Sequence, residues 1–343
     1  MANPIRVLVV DDSSFMRNAL KRSIEQDARF KVIDTAVNGQ EGVDKALALK
    51  PDIVTLDVEM PVMNGLEALK AIVAKTTIPV VMVSAVTEAG AKITIDALSL
   101  GAVDFIPKSK GAEHIHDKLL AAMNAGLSRR IMASRRAAPA APIPPPPPRP
   151  VRASARVPAK LVVIGSSTGG PQALQEVIRN LPANFPVPVV IAQHMPPQFT
   201  LALAKRLNDL CPVRVTEAED GMQLTPGTVY IGPGGKHLRV TSTHIKVEAE
   251  RGESLYKPSV DVLAESALMA FGKQILGVML TGMGNDGAKA FIRLHKAGGY
   301  TLVQNQASCV VYGMPRAVAD AGAADEVLPL EQIGPRVRGS FGL

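Results

Sequence analysis

Residues 161–171 read LVVIGSSTGGP. Leu161–Ile164 is an apolar run of strand length, the glycines at 165, 169 and 170 allow a sharp reversal, and Pro171 suits the first turn of a helix continuing from Gln172. Strand, tight turn and helix together are the building unit of a parallel sheet. The turn leaves the hydroxyls of Ser166, Ser167 and Thr168 beside the unsatisfied N–H groups of a helix start. Such a turn can hold a phosphate or dinucleotide, expose a nucleophilic serine beside an oxyanion hole, or be purely structural. Its spacing is neither G-x-G-x-x-G nor G-x-S-x-G, so the turn alone does not decide among these.

Working outward, two more apolar strands end in polar loops. Pro188–Ala192 leads to His194-Met195-Pro196-Pro197, and Ile275–Leu280 leads to Thr281-Gly282-Met283-Gly284-Asn285-Asp286-Gly287. A serine needs a base to attack at neutral pH, most often a histidine held by a carboxylate. Of the six histidines, His114, His116, His244 and His295 are expected to face solvent, His244 within a hairpin and His295 on a helix. His194 follows a strand directly and is the candidate base; His237, in Gly232-Pro233-Gly234-Gly235-Lys236-His237, is the rival and reads as a turn residue or substrate contact. Asp286 taken alone reads as a helix cap, but at a third strand end it completes Ser, His and Asp on one sheet edge.

The first 128 residues repeat the same alternation. Ile5–Val10, Lys31–Ala36, Ile53–Leu56, Val80–Ser84 and Val103–Ile106 read as strands, followed by helices over Ser13–Gln26, Gln40–Leu49, Gly65–Ala74, Lys92–Ser99 and His114–Leu127. This is a five-stranded, doubly wound parallel sheet, whose chemistry gathers at the carboxyl ends of its strands. Those ends carry Asp11 and Asp12, then Asp57, then Ser84, then Phe105-Ile106-Pro107-Lys108. Converging carboxylates repel unless a cation joins them, and hard oxygen ligands suit Mg²⁺. An Asp beside Mg²⁺, a hydroxyl and a Lys can attack a phosphoryl group, so Asp57 is expected to form an aspartyl phosphate. Helix capping is the alternative role for Asp11 or Asp12 taken singly.

Between these regions, residues 129–160 hold seven Arg, one Lys, no acid and nine of the 27 prolines, with a run from Pro144 to Pro148. Such a composition cannot offset its ordering entropy by apolar burial and reads as a flexible linker. Without it the chain of 343 residues has 30 basic and 31 acidic residues, so the formal charge of +7 belongs to the linker and gives no evidence for nucleic acid. Basic residues placed there leave the output domain without the basic recognition helix of a DNA-binding regulator. A nucleotide-binding module would want a ribose-binding acid some 20 residues past the Gly-rich turn, and Glu176 is too close. Cys211 and Cys309 are too few for a disulfide framework, no apolar run approaches a membrane span, and a reducing cytoplasm is the expected setting.

Residues 1–125 resemble a response-regulator receiver domain, on the strength of Asp11-Asp12, Asp57 with Met60-Pro61 and Asn64-Gly65, Ser84 and Lys108. The resemblance implies that Asp11, Asp12, Asp57 and the carbonyl of Glu59 hold Mg²⁺, that Ser84 and Phe105 form a switch pair, and that Lys108 contacts the phosphate. Pro107 precedes Lys108 where that family more often has proline after the lysine. Gly165–Gly170, His194–Pro197 and Thr281–Asp286 resemble the catalytic domain of the chemotaxis receptor protein-glutamate methylesterase family. By that resemblance Ser167 is the nucleophile, His194 the general base and acid, and Asp286 the residue that orients the histidine, with Thr168, Gly169 and Met283 around the oxyanion. Ser166 stands where the family usually has alanine and adds a competing hydroxyl.

The expected architecture is therefore a receiver over 1–128, a linker over 129–160 and an α/β parallel-sheet, Rossmann-like hydrolase domain over 161–343. The resemblance implies hydrolysis of glutamate γ-methyl esters on methyl-accepting chemotaxis receptors with release of methanol, deamidation of receptor glutamines, and activation by a chemotaxis histidine kinase. Hydrolysis is expected to need no cofactor, and the protein to be monomeric and not inserted in a membrane. A receiver-linked nucleotide-binding or non-catalytic interaction module is the alternative, and the joint presence of Ser167, His194 and Asp286 speaks against the latter.

Overall fold

A computed structural model of the chain describes residues 3–108, 115–137, 157–249 and 256–343, without the side chains of 127–137. The chain divides into two compact units, residues 1–140 and 141–343. In the first, β1 (Ile5–Val10), α1 (Ser14–Glu25), β2 (Phe30–Ala36), α2 (Gly39–Leu49), β3 (Ile53–Asp57), α3 (Gly65–Lys75), β4 (Val80–Ser84), α4 (Glu88–Ser99), β5 (Asp104–Pro107) and α5 (Ile115–Ala137) alternate as expected. The five strands are parallel in the order β2-β1-β3-β4-β5. Strands β3 and β4 are buried at every position, because helices cover both faces of a doubly wound sheet.

Two boundaries in this unit differ from the sequence reading by more than one residue. Helix α4 begins at Glu88, not Lys92, because the Thr87 side chain accepts from Gly90 N–H and caps an earlier turn. Helix α5 continues to Ala137, well into the segment read as linker. Residues 138–156, which hold the proline run, lie outside the described residues, as does His114. His116 is half-buried rather than solvent-facing: its ring packs 5.6 Å from that of Phe30 and its Nε2 lies 3.2 Å from the Ile24 carbonyl.

The second unit contains β6 (Leu161–Ser166), α6 (Gly170–Ile178), β7 (Val189–Gln193), α7 (Phe199–Leu210), β8 (Arg214–Glu217), β9 (Thr228–Ile231), β10 (His237–Val240), β11 (Ile245–Glu248), α8 (Val260–Phe271), β12 (Ile275–Met279), α9 (Ala288–Lys296), β13 (Tyr300–Gln304), α10 (Met314–Asp320), β14 (Glu326–Leu328) and α11 (Leu330–Gly339). Seven parallel strands run β14-β13-β12-β6-β7-β9-β8, and β10 pairs with β11 as an antiparallel hairpin. The chain leaves β6 toward β7 on one side and later returns to place β12 on the other, so the β6/β12 boundary is the switch point where α/β sheets bind ligands. Residues 157–160 already pack on this unit, with Val157 N–H donating to the Ser340 carbonyl and Lys160 N–H to that of Gln274. His237 is not a turn residue; it begins β10 and is fully buried.

Candidate active site and phosphoacceptor pocket

Each candidate hydrolytic residue follows a different strand, and the three strands are neighbours. β6 pairs with β12 on one side, Gly165 opposite Met279, and with β7 on the other, Ser166 opposite Gln193. Ser167 leaves β6, His194 leaves β7, and Asp286 lies in the loop after β12. Main-chain bonds tie the three loops together: Ser167 N–H donates to the Thr281 carbonyl at 3.0 Å and His194 N–H to that of Ser166 at 3.0 Å.

The adjacent serines are sorted by burial. Strand β6 runs two residues past its expected end, so Ser166 is its last residue, fully buried, with its hydroxyl donated to Gln193 Oε1 at 2.6 Å. Gln193 Nε2 in turn donates to the carbonyls of Ser167 (3.0 Å) and His194 (3.1 Å). Ser167 starts the turn and is partly exposed. Behind it, Thr281 donates its hydroxyl to the Thr168 carbonyl (3.0 Å), accepts from Val311 N–H (3.0 Å), and sends its own N–H to Gln304 Oε1 (2.7 Å).

Glycine is required here at two positions. Gly169 takes φ 77, left-handed backbone, as it opens α6, and a Cβ there would also lie 2.6 Å from the Val310 Cβ. A Cβ at Gly282 would lie 2.9 Å from that of Ser167, so the absence of a side chain lets the loop carrying Met283 close against the serine. Met283 is half-buried and Thr168 buried.

His194 Nε2 lies 2.7 Å from Asp286 Oδ2, and the two side chains are 7% and 8% exposed. With Nε2 donating to a carboxylate, the lone pair sits on Nδ1, and among the described residues Nδ1 is buried without a hydrogen-bond partner. A buried acceptor without a partner is costly, so a hydroxyl donor brought to this atom would satisfy it. Tyr256 stacks on the imidazole, with ring centres 4.2 Å apart and planes 4° from parallel.

Asp286 does act as a helix cap, but for a different helix than the one it precedes. Its carboxylate accepts from Val260 N–H (2.6 Å), Asp261 N–H (3.2 Å) and the Ser259 hydroxyl (2.8 Å), at the N-terminus of α8. Burial alone would push the carboxyl up; the His194 ring, Val260 N–H and Ser259 hydroxyl outweigh it and hold Asp286 below its ordinary range. A charged carboxylate is thus held behind the imidazole, as a base-orienting residue requires. Sequence reasoning did not pick out Gln193, Tyr256 or Ser259, and it named Thr281 only as part of the Thr281–Asp286 string. The string Ser259-Val260-Asp261 marks a helix start, yet nothing in it says which distant carboxylate will lie there.

In the first unit, carboxylate oxygens of Asp11, Asp12 and Asp57 lie within 4.8 Å of one another, and Lys108 Nζ reaches Asp57 Oδ2 at 2.7 Å and Asp11 Oδ2 at 3.1 Å. Burial, with Asp11 adding to it, pushes Asp57 up to about 6, while Asp57 and Asp11 overcome the burial of Lys108 and strengthen its charge. A cluster of hard oxygens, with Asp11 and Asp57 buried and Asp12 exposed, whose negative charge is costly at the buried members fits a divalent cation. Asp12, Asp57, Glu59, Ser84 and Lys108 line one cavity of about 280 Å³ there. The Ser84 hydroxyl is 3.2 Å from the Ala85 carbonyl, and Phe105 is buried, with Lys118 Nζ 5.1 Å from its ring centre. Pro107 ends β5 opposite Ser84, so Lys108 leaves the strand directly over the carboxylates.

Comparison with known proteins follows the same division. The profile of the response regulator receiver domain matches residues 7–120 and that of CheB methylesterase matches residues 162–337. A protein of Oleidesulfovibrio alaskensis named protein-glutamate methylesterase/protein-glutamine glutaminase 1 is 45% identical over 97% of this chain and 98% of its own length. The protein of the same name in Vibrio cholerae is 42% identical, with 99% of both chains covered. The crystal structure of the Thermotoga maritima CheB methylesterase catalytic domain is similar with a TM-score of 0.51 and 41% identity, covering 52% of this chain and 97% of that one.

Proposed function

This chain belongs to the CheB methylesterase family of hydrolases and carries a response-regulator receiver domain, and from that membership we propose that it hydrolyses glutamate γ-methyl esters on chemotaxis receptors under control of receiver phosphorylation. The observation that carries the reading is the buried His194 Nδ1 without a partner, whose opposite nitrogen is fixed to a charged Asp286.

In the reaction, the Ser167 hydroxyl attacks the ester carbonyl as His194 Nδ1 takes its proton. The tetrahedral oxyanion forms beside the Thr168–Gly169 turn and the Met283 amide, where N–H dipoles stabilise it. As the C–O bond breaks, His194 returns the proton to methoxide and methanol leaves. Water, deprotonated by His194, then attacks the acyl-serine and frees a receptor carboxylate. Asp286 stabilises the imidazolium at both stages. A glutamine side chain gives the same acyl-enzyme with ammonia as the leaving group, so the site also serves deamidation, the harder cleavage.

Asp57 is the phosphorylation site, and Asp11, Asp12, Asp57 and the Glu59 carbonyl would hold Mg²⁺. The cation would neutralise the charge on the transferring phosphoryl oxygens. Lys108 supplies a fixed positive charge to the phosphate, and Ser84 and Phe105 register its arrival. The phosphodonor is a chemotaxis histidine kinase, the substrates are methyl-accepting chemotaxis receptors, and the protein acts as a monomer in the cytoplasm. Among the described residues no helix is long and apolar enough to cross a membrane. The unphosphorylated receiver restrains the hydrolase, and the added charge at Asp57 relieves the restraint.

Mass spectrometry of receptor peptides after incubation with the protein tests the reading. It predicts conversion of γ-methyl glutamate, and more slowly of glutamine, to glutamate; peptides left unchanged with active phosphodonor present would refute it.

A further inference from the structure

Helices α8 and α9 cap each other through two aspartates. Asp286, in the loop before α9, accepts from Val260 and Asp261 N–H in the first turn of α8. Asp261, in that first turn, accepts from Ala290 N–H of α9 at 2.8 Å. Helix α9 has no side-chain cap of its own, because its N-cap residue is Gly287 with φ 88. Ala290 is its third residue, the position an N-cap side chain ordinarily satisfies, so Asp261 supplies that cap from another helix.

The consequence is a closed circuit. From Asp286 the chain runs through Gly287 to Ala290, whose N–H is held by Asp261, whose own N–H holds Asp286 Oδ1. The carboxylate facing His194 is thereby fixed at both ends: by the α8 amides at its oxygens, and by Asp261 through the backbone that follows it. The circuit has a cost that packing alone would not select. Burial, with Asp286 and Glu265 nearby, raises the Asp261 carboxyl above its ordinary range even though it accepts from Ala290 N–H. A second acid placed against the acid of a Ser-His-Asp array is an electrostatic liability unless it contributes geometry.

We propose that Asp261 is a positioning residue for the hydrolysis, holding the loop after β12 so that Asp286 meets His194 Nε2 at hydrogen-bond distance. It touches neither substrate nor the reacting atoms. The proposal rests on the Ser167-His194-Asp286 reading of the site.

The test uses the full-length protein with Asp261→Ala, which removes the acceptor for Ala290 N–H, and Asp261→Asn, which keeps an acceptor oxygen. Methanol release is measured as kcat and KM, and the downfield proton resonance of His194 Nε2–H is recorded in parallel. Asp261→Ala is expected to lower kcat by about tenfold to a hundredfold, the scale of loss when a reacting group is displaced, with KM within about twofold, and to shift or broaden the resonance. Asp261→Asn restores most of both. If Asp261→Ala does not fold, Asp261→Glu, which displaces the carboxylate by one methylene, is expected to show the same loss of kcat and the same change in the resonance. Wild-type kcat and an unchanged resonance in the folded variant, with only a lowered Tm, would overturn the proposal by reducing Asp261 to a structural cap. If the wild-type protein releases no methanol, the hydrolytic reading fails instead, and the resonance alone then decides whether Asp261 positions Asp286.

Discussion

Ser166 donates its hydroxyl to Gln193 Oε1 at 2.6 Å in the floor of the site, which leaves Ser167 as the exposed member of the pair. Sequence alone put two adjacent serines at the turn; their environments separate them. Ser167→Ala is expected to abolish turnover down to the residual level that an oxyanion site and binding supply without a nucleophile. Ser166→Ala is expected to keep the reaction and lose stability, by about 1–3 kcal/mol, because Gln193 Oε1 is left buried without a donor. Methanol-release assays and thermal melts on the two variants check both statements, and activity lost in Ser166→Ala but kept in Ser167→Ala would reverse the assignment.

The depressed carboxyl of Asp286 makes a prediction in pH. Its folded-state value lies below its unfolded value, so the charged form stabilises the fold above the unfolded range, near 3.8, and that contribution is lost as pH falls through the folded value. Chemical denaturation at pH 7 and below pH 4 is expected to show a smaller acid-induced loss of stability in Asp286→Asn than in the unmodified protein. The same variant is expected to lose about 10³- to 10⁴-fold in kcat, since an amide no longer fixes the imidazole tautomer.

Tyr256 lies face to face with His194 at 4.2 Å. Aromatic pairs of this kind contribute about 0.5–1.5 kcal/mol. Removing the ring in Tyr256→Ala is expected to lower kcat by about threefold to tenfold as the imidazole gains freedom, and Tyr256→Phe to stay near the unmodified rate. Steady-state kinetics of the two variants distinguishes stacking from a need for the hydroxyl.

Asp57 is held up at about 6, chiefly by burial. An acid whose folded value is raised destabilises the fold when charged, so without Mg²⁺ the penalty is present above pH 6 and fades as pH falls toward 4. Asp57→Asn is expected to stabilise the metal-free receiver at pH 7.5 by about 1–3 kcal/mol and to abolish phosphorylation. Melting in a chelator, with and without the substitution, measures the first, and phosphodonor labelling the second.

Much of this was legible in the residues, for identifiable reasons. Strands such as Val80–Ser84 and Ile275–Met279 are continuous apolar runs because both faces of their sheets are covered, and polar residues at their ends stand out against them. Asp57, Ser167, His194 and Asp286 were all visible in that way. Contacts between distant segments were not: the α8 amides on Asp286, the Tyr256 stack and the Asp261 cap join residues that no local pattern couples. His237 shows the opposite failure, since a run of Gly and Pro before it suggested an exposed turn, whereas the turn ends one residue earlier and the histidine enters β10 buried.

Methanol release from methylated receptor membranes, measured with and without a small phosphodonor and Mg²⁺, tests the central claim most directly. The account predicts release by the unmodified protein that rises when Asp57 can be phosphorylated, stays at the basal level in Asp57→Asn, and disappears in Ser167→Ala. No release under either condition would contradict it.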